Sequence, residues 1–240
     1  MKASQTLKRS LPNVLYVPLR TLNARRKNSL SQMGQDFWVF GEVFDGKKNG
    51  YFLEVGSADG VTFSNTFLLE KRFGWRGICI EANPLLFKEL RRARGATCLN
   101  LCIDAVEGEI DFVQKGLYGG IVGDDTDNAP EAESEKGAYR VRLRTLPLSS
   151  VLARERAPHV IDYLSIDVEG SEDRILSGFP FQEYVFNCMT VERPKQKLRE
   201  ILSRNGYLAV KEIPHHDVFY VHESFYAQYE QNLFSFWGKP

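Results

Sequence analysis

The chain has 240 residues, 43% hydrophobic and 26% charged, a composition that suits one globular domain with decorations. Its 31 Lys and Arg balance 31 Asp and Glu, but the first 35 residues hold seven of the basic side chains and no acid. The remainder is acidic, which argues against nucleic acid as its partner.

The first 30 residues read as a basic arm. They lack the continuous apolar core of a secretory signal, and Pro12 and Pro18 interrupt what apolar run there is. Low serine content and the lack of an amphipathic repeat favour a flexible or partner-packed arm over a transit peptide. The arm offers a peripheral contact to an anionic membrane surface. No stretch is long enough to span a bilayer. Cys79, Cys98, Cys102 and Cys188 sit in strand-like runs without a Cys-x-x-Cys pair. They predict neither zinc nor a disulfide framework, but buried reduced thiols in a cytoplasmic protein.

A helix is predicted over 31–44, with Ser31 as its cap and Phe37, Phe40 and Phe44 at helical spacing. Residues 51–56 form the first strand. Ser64 caps a helix running to Phe73. Residues 77–81 form the second strand, and Pro84 opens a helix ending near Arg94. Residues 97–103 form the third strand. Residues 109–114 and 139–144 read as an added pair of strands, and 115–137 between them as a long surface loop.

Residues 161–166 make an apolar fourth strand, after which Ser171 caps a short helix ending near Gly178. A fifth strand covers 184–191, and Pro194 opens a helix that stops at Asn205-Gly206. Residues 207–213 and 218–221 form a hairpin whose tip carries His215 and His216; polar residues at such tips are usually solvated. From Glu223 onward, Phe225, Tyr226, Tyr229, Phe234, Phe236 and Trp237 read as a stripe for the core or for a second copy in a homodimer. Alternating strands and helices predict a doubly covered, seven-stranded, mostly parallel sheet, with an antiparallel strand added by the hairpin. The domain runs over 31–222, flanked by the arm and the aromatic tail.

The first turn, Glu54-Val55-Gly56-Ser57-Ala58-Asp59-Gly60, lacks the third glycine of a dinucleotide fingerprint and carries an acid instead. Asp59 would repel a pyrophosphate and attract an amine or sulfonium. Glu81, at the end of the next strand, suits ribose hydroxyls. Together they favour S-adenosylmethionine over a nicotinamide dinucleotide. Glu54, Gly56, Asp59 and Gly60 are expected to hold its amino-acid part. Ile103 is placed to line the adenine. Asp104 either accepts from the adenine amino group or caps its own turn.

The stretch Asp167-Val168-Glu169-Gly170-Ser171-Glu172 places three carboxylates beyond the fourth strand, at the edge where ligands bind in open α/β sheets. Asp167 and Glu169, with Glu192 at the next strand end, are candidates to orient and deprotonate an acceptor hydroxyl. Glu172 reads as an acid at a helix start. Asp124, Asp125 and Asp127 lack EF-hand spacing and read as a solvated loop.

These pieces together resemble the FkbM-type methyltransferases. The matching runs are Ser31-Gln32-Met33-Gly34-Gln35-Asp36, Phe52 onward to Gly60, Ser64-Asn65-Thr66, Ile80-Glu81-Ala82-Asn83-Pro84, Leu164-Ser165-Ile166-Asp167-Val168-Glu169-Gly170-Ser171-Glu172, and Val191-Glu192. The resemblance implies a class I methyltransferase fold, S-adenosylmethionine as donor, and methyl transfer to a hydroxyl of a sugar, glycan or secondary metabolite. It implies that Gln32, Gln35, Ser64 and Asn65 help enclose the cofactor, with Ser57 and Ala82 in the matched turns. Two rivals remain: transfer assisted by magnesium held by Asp167 and Glu192, and a non-catalytic binding module that keeps the fold.

Overall fold

The computed structural model describes residues 29–128 and 139–237. The basic arm up to residue 28 and the second part of the predicted long loop lie outside them.

The main sheet is built from β1 (Tyr51–Val55), β2 (Arg76–Ile80), β3 (Thr97–Leu99), β8 (Val160–Ile166), β9 (Val185–Glu192), β10 (Tyr207–Glu212) and β11 (Asp217–His222). Its order is β10-β11-β9-β8-β1-β2-β3. β1, β2, β3, β8 and β9 pair in parallel; β11 runs antiparallel to both β9 and β10. From β1 the chain moves outward one way to β2 and β3, and later returns on the other side of β1 as β8. The carboxyl ends of β1 and β8 therefore face a switch point, where crossover connections leave in opposite directions and a crevice opens.

Both faces of this sheet are covered, so its strands read as nearly continuous apolar runs. Alternation along β1 sends Leu53 and Val55 into one core cluster and Phe52 into the other. Glu54 follows Phe52 onto the second face, an acid among Phe52, Cys79 and Tyr163.

The helices cover the sheet. α1 (Gln35–Phe37) runs directly into a π-helical stretch, Trp38–Val43. The predicted helix thus starts later than expected, with Gly34 at the position before it, φ +82°. From outside the helix the Ser31 hydroxyl accepts the first-turn Asp36 N–H at 3.3 Å and donates to Asp36 Oδ1 at 2.6 Å. α2 (Phe67–Phe73) starts after Thr66, with Ser64 Oγ accepting the Phe67 N–H at 3.0 Å. α3 (Pro84–Ala93) has Pro84 in its first turn and the Asn83 side chain capping Leu85 N at 3.0 Å. α5 (Glu172–Ser177) begins at Ser171 as expected, yet the Ser171 hydroxyl makes no cap bond. α6 (Gln196–Arg204) starts after Lys195, two residues beyond the helix opening expected at Pro194. α7 (Glu223–Trp237) carries the aromatic tail onto the π-helical stretch, where Phe236 packs on Phe37 and Phe225 on Phe44.

The third strand is not continuous. β3 stops at Leu99, and β4 (Cys102–Ile103) joins a second sheet of order β4-β7-β5-β6, with β5 (Gly108–Gln114), β6 (Gly120–Ile121) and β7 (Tyr139–Leu146). Asn100 makes the break: its side-chain amide donates to the carbonyls of Glu81 at 2.8 Å and Ala82 at 3.1 Å, pulling the chain out of the ladder. α4 (Leu148–Arg154) returns the chain to β8.

The acid on β1 is neutralised from a distance. Arg94, just past α3, has a fully buried side chain. It reaches Glu54 at 3.2 Å and Glu70 at 2.6 Å, and donates to Gly60 O, Ser64 Oγ and Thr66 Oγ1. Removing one partner of such a pair leaves a bare charge in the core. Arg94→Ala is expected to cost about 3–5 kcal/mol of stability, read by chemical denaturation. A loss below 1 kcal/mol would show that water replaces the guanidinium.

Candidate active site

A cleft opens at the β1/β8 switch point. Its floor is the turn after β1, where Gly56 has φ +85° and a Cβ would lie 1.8 Å from the Asp167 carbonyl oxygen. Only glycine lets the two strand ends come this close. One wall is apolar, from Leu86, Leu101, Ile103, Phe112 and Ile121; the second sheet supplies the last three. The other wall is Gln32, Phe63, Ser64 and Asn65. Asp167, Glu169 and Ser171 close the end beyond β8, and Tyr118 stands at the rim. Counting its open mouth, the cleft holds about 1050 Å³ of empty space.

Among the described residues four carboxylates line this space, Glu54, Glu81, Asp167 and Glu169, and no Lys, Arg or His does. The four are not equivalent. Glu54 is consumed by the protein: it accepts from Ser64 Oγ at 3.0 Å, Asn65 N at 2.8 Å and Thr66 Oγ1 at 2.8 Å, besides Arg94. It shapes the wall rather than offering a free acceptor.

Glu81 accepts the N–H of Ala58 at 2.8 Å on one oxygen and that of Asn83 at 2.7 Å on the other. Each carboxylate oxygen has a second lone-pair direction, so two hydroxyls can still be received. Burial pushes Glu81 up to about 7, against the pull of those two amides. Glu169 also lies at about 7, raised by burial and by Glu192 and lowered by Arg193. Burial lifts Glu172 to about 8 although its Oε1 accepts Val168 N at 2.8 Å. Burial and the adjacent Glu192 carry Asp167 well above the usual carboxylate range. Asp167 therefore holds its proton far more tightly than an exposed carboxyl does.

The structure brings Glu54, Gly56, Ser57, Ser64, Asn65, Glu81, Ala82, Ile103, Asp167 and Glu169 together around the cleft. The other sequence candidates face elsewhere. Asp59 accepts from Val61 N, Thr62 N and Thr62 Oγ1 in its own turn. Gly60, at φ +81°, packs under Leu90 and Arg94. Gln35 donates to Asp217. Asp104 takes both ends of the Arg174 guanidinium rather than facing an adenine, at 3.0 and 2.5 Å. Glu192 pairs with Arg193 at 2.9 Å behind the cleft. The acidic loop is not merely solvated: Asp125 meets Arg174 at 3.6 Å, and Asp127 binds Arg193. Sequence reasoning missed Phe63 and Tyr118, which are 50% and 61% exposed. Phe63 also adopts φ +58°, a conformation that aromatic residues rarely take.

Two buried polar atoms on the cleft wall lack partners, Asn65 Oδ1 and Ser171 Oγ. An acceptor and a hydroxyl left unpaired at such a place are what a polar ligand would satisfy. With the glycine floor, the free lone pairs of Glu81 and the apolar wall, they fit the amino-acid, ribose and adenine parts of S-adenosylmethionine. The strand order, the switch-point cleft and the acid after β2 define a class I S-adenosylmethionine-dependent methyltransferase.

Comparison narrows this class. Residues 54–209 match the methyltransferase FkbM domain, and the chain belongs to that family. No curated protein matches the chain. Among solved structures it is similar to a precorrin-6y C5,15-methyltransferase from Geobacter metallireducens, at 12% identity and TM-score 0.41, covering 82% of this chain and 90% of that one. It is also similar to a TehB-like SAM-dependent methyltransferase from Corynebacterium glutamicum, at 10% identity and TM-score 0.41, covering 85% and 93%. A methyltransferase from Pyrococcus furiosus shares 14% identity with TM-score 0.33, covering 88% and 86%.

Glu81, Glu169 and Glu172 hold their protons more tightly folded than unfolded, where a glutamate titrates near 4.5. Their contribution is therefore favourable at low pH and is lost as pH rises through about 7 to 8. The ligand-free chain is expected to melt at a lower temperature at about pH 8 than at about pH 5.5. A melting temperature that climbs steadily over that range would contradict the raised carboxyls.

Proposed function

We propose that this methyltransferase transfers a methyl group to a hydroxyl of an uncharged acceptor, a sugar or a hydroxylated secondary metabolite, in the cytoplasm. The observation that carries the proposal is the lining of the cleft: carboxyls at Glu81, Asp167 and Glu169 and, among the described residues, no Lys, Arg or His. Such a lining offers an anionic acceptor no counter-charge and gives a cationic donor acids to face. Exposed Phe63 and Tyr118 at its mouth offer flat apolar faces to a ring.

S-adenosylmethionine supplies, when bound, a methyl group on a positively charged sulfur. The chain's own residues do the rest. The turn after β1 and Glu81 bind and orient the donor. Glu169 receives the hydroxyl proton; a base that titrates near neutral pH is half available and still strong enough to pull. Asp167, which holds its proton tightly, orients by hydrogen bonding and leaves the basic role to Glu169. Much of the rate comes from holding the acceptor oxygen in line with the methyl group.

Glu81→Ala is expected to weaken donor binding by about 1.5–3 kcal/mol, since ribose hydroxyls lose a charged acceptor. Calorimetry showing unchanged affinity would remove that role. Turnover should rise with pH in one step centred near 7, as Glu169 loses its proton. Glu169→Gln should abolish that rise and cut turnover by roughly 10²–10⁴-fold while sparing donor affinity. An unaltered pH profile would assign the base elsewhere. The acceptor itself is found by a donor-dependent screen over neutral glycans and hydroxylated metabolites, read by mass. A product methylated on nitrogen or carbon would overturn the hydroxyl assignment.

A further inference from the structure

We propose that Arg193 is a built-in counter-ion that takes the place of a divalent cation in the acidic corner behind the cleft, so that the transfer runs without a metal. Oxygens of Asp127, Glu169 and Glu192 all lie within 4.8 Å of one another, a spacing that would let one cation touch all three. That position is taken. Arg193 Nη2 lies 2.9 Å from Glu192 Oε1 and 3.6 Å from Glu169 Oε2, and it binds Asp127 Oδ2. A metal at the same place would meet a fixed positive charge at contact distance.

The backbone aims this side chain. Arg193 sits at φ +36°, a left-handed conformation that costs a non-glycine residue about 1–3 kcal/mol. Its N–H donates to His216 O at 2.8 Å, in the turn between β10 and β11. The hairpin thus fixes the point from which the guanidinium reaches the three acids. Lys195, two residues on, donates to Asp125 O at 2.6 Å and fastens the same acidic loop.

A second group of acids, Asp167, Glu172 and Glu192, is also close enough to share an ion. Glu172 Oε1 is already held by Val168 N at 2.8 Å, and Glu192 Oε1 by the same Arg193 guanidinium at 2.9 Å. The guanidinium thus faces both groups through Glu192, the acid they share.

Arg193 is a positioning residue for Glu169, and that part rests on Glu169 being the base. Glu169 is faced by Glu192 and Arg193 from the end of β9, by Asp127 and Lys115 from the second-sheet insert, and by Asp167 from its own strand end.

Titration of the full chain with Mn²⁺, followed by electron paramagnetic resonance, tests the proposal without any acceptor. The wild-type protein should leave Mn²⁺ free. R193Q, shown folded by circular dichroism, should bind it at least about tenfold more tightly, and R193K should stay like wild type because an ammonium still fills the place. Adding E192Q to R193Q should abolish the gain. Wild-type binding as tight as that of R193Q would overturn the proposal, as would a folded R193Q that gains nothing. Should R193Q fail to fold, wild-type turnover in a chelator decides: undiminished turnover supports the proposal, and a loss restored by magnesium overturns it. A pH profile unchanged by Glu169→Gln would sink the base assignment alone and leave the Mn²⁺ result standing.

Discussion

One ion pair holds the site together: Glu54 at the buried end of β1 and Arg94 just past α3, 3.2 Å apart. A carboxylate among Phe52, Cys79 and Tyr163 is tolerable only with a counter-charge and with its lone pairs filled. The chain supplies both by folding residues 60–66 over it. Ser64, Asn65 and Thr66 donate to Glu54 while Arg94 grips Gly60 O and the Ser64 and Thr66 hydroxyls. The loop that satisfies the acid is the loop that walls the cleft. Folding and ligand binding therefore draw on the same contacts.

The second constraint is topological. β1 and β8 leave the switch point in opposite directions, and Gly56 lets their ends touch without a side chain between them. Asp167 and Glu169, which follow the end of β8, line the same space as Glu81. The cations nearest to it are engaged on its outer side: Arg174 with Asp104 and Asp125, Arg193 with Glu192 and Asp127. Raised carboxyls at Glu81, Asp167 and Glu169 are the expected result of gathering acids where water is scarce.

Much of this was legible in the sequence, because strand-end chemistry is local. The apolar runs ending at Val55, Ile80 and Ile166 fixed the parallel strands, and Gly56, Glu81 and Asp167 follow those ends directly. Glu54 within an apolar run announced that a partner was needed. Nothing local named Arg94: it follows Arg91 and Arg92 on an amphipathic helix and looks like another exposed cation. The break after β3 was invisible because Asn100 acts through its side chain on carbonyls almost twenty residues away. Asp59 misled because an acid in a glycine turn suits a ligand and suits the turn itself equally well. Phe63 gave no signal, since a left-handed aromatic residue is set by tertiary contacts and not by its neighbours.

The central claim is that the acid-lined cleft between β1 and β8 receives the donor, with Glu81 at the ribose and Ile103 at the adenine. A crystal structure with S-adenosylhomocysteine bound tests this most directly. The account predicts the ribose hydroxyls on the Glu81 carboxylate and the base against the apolar wall beside Ile103. Ligand density at any other place on the chain, with that cleft vacant, would contradict it.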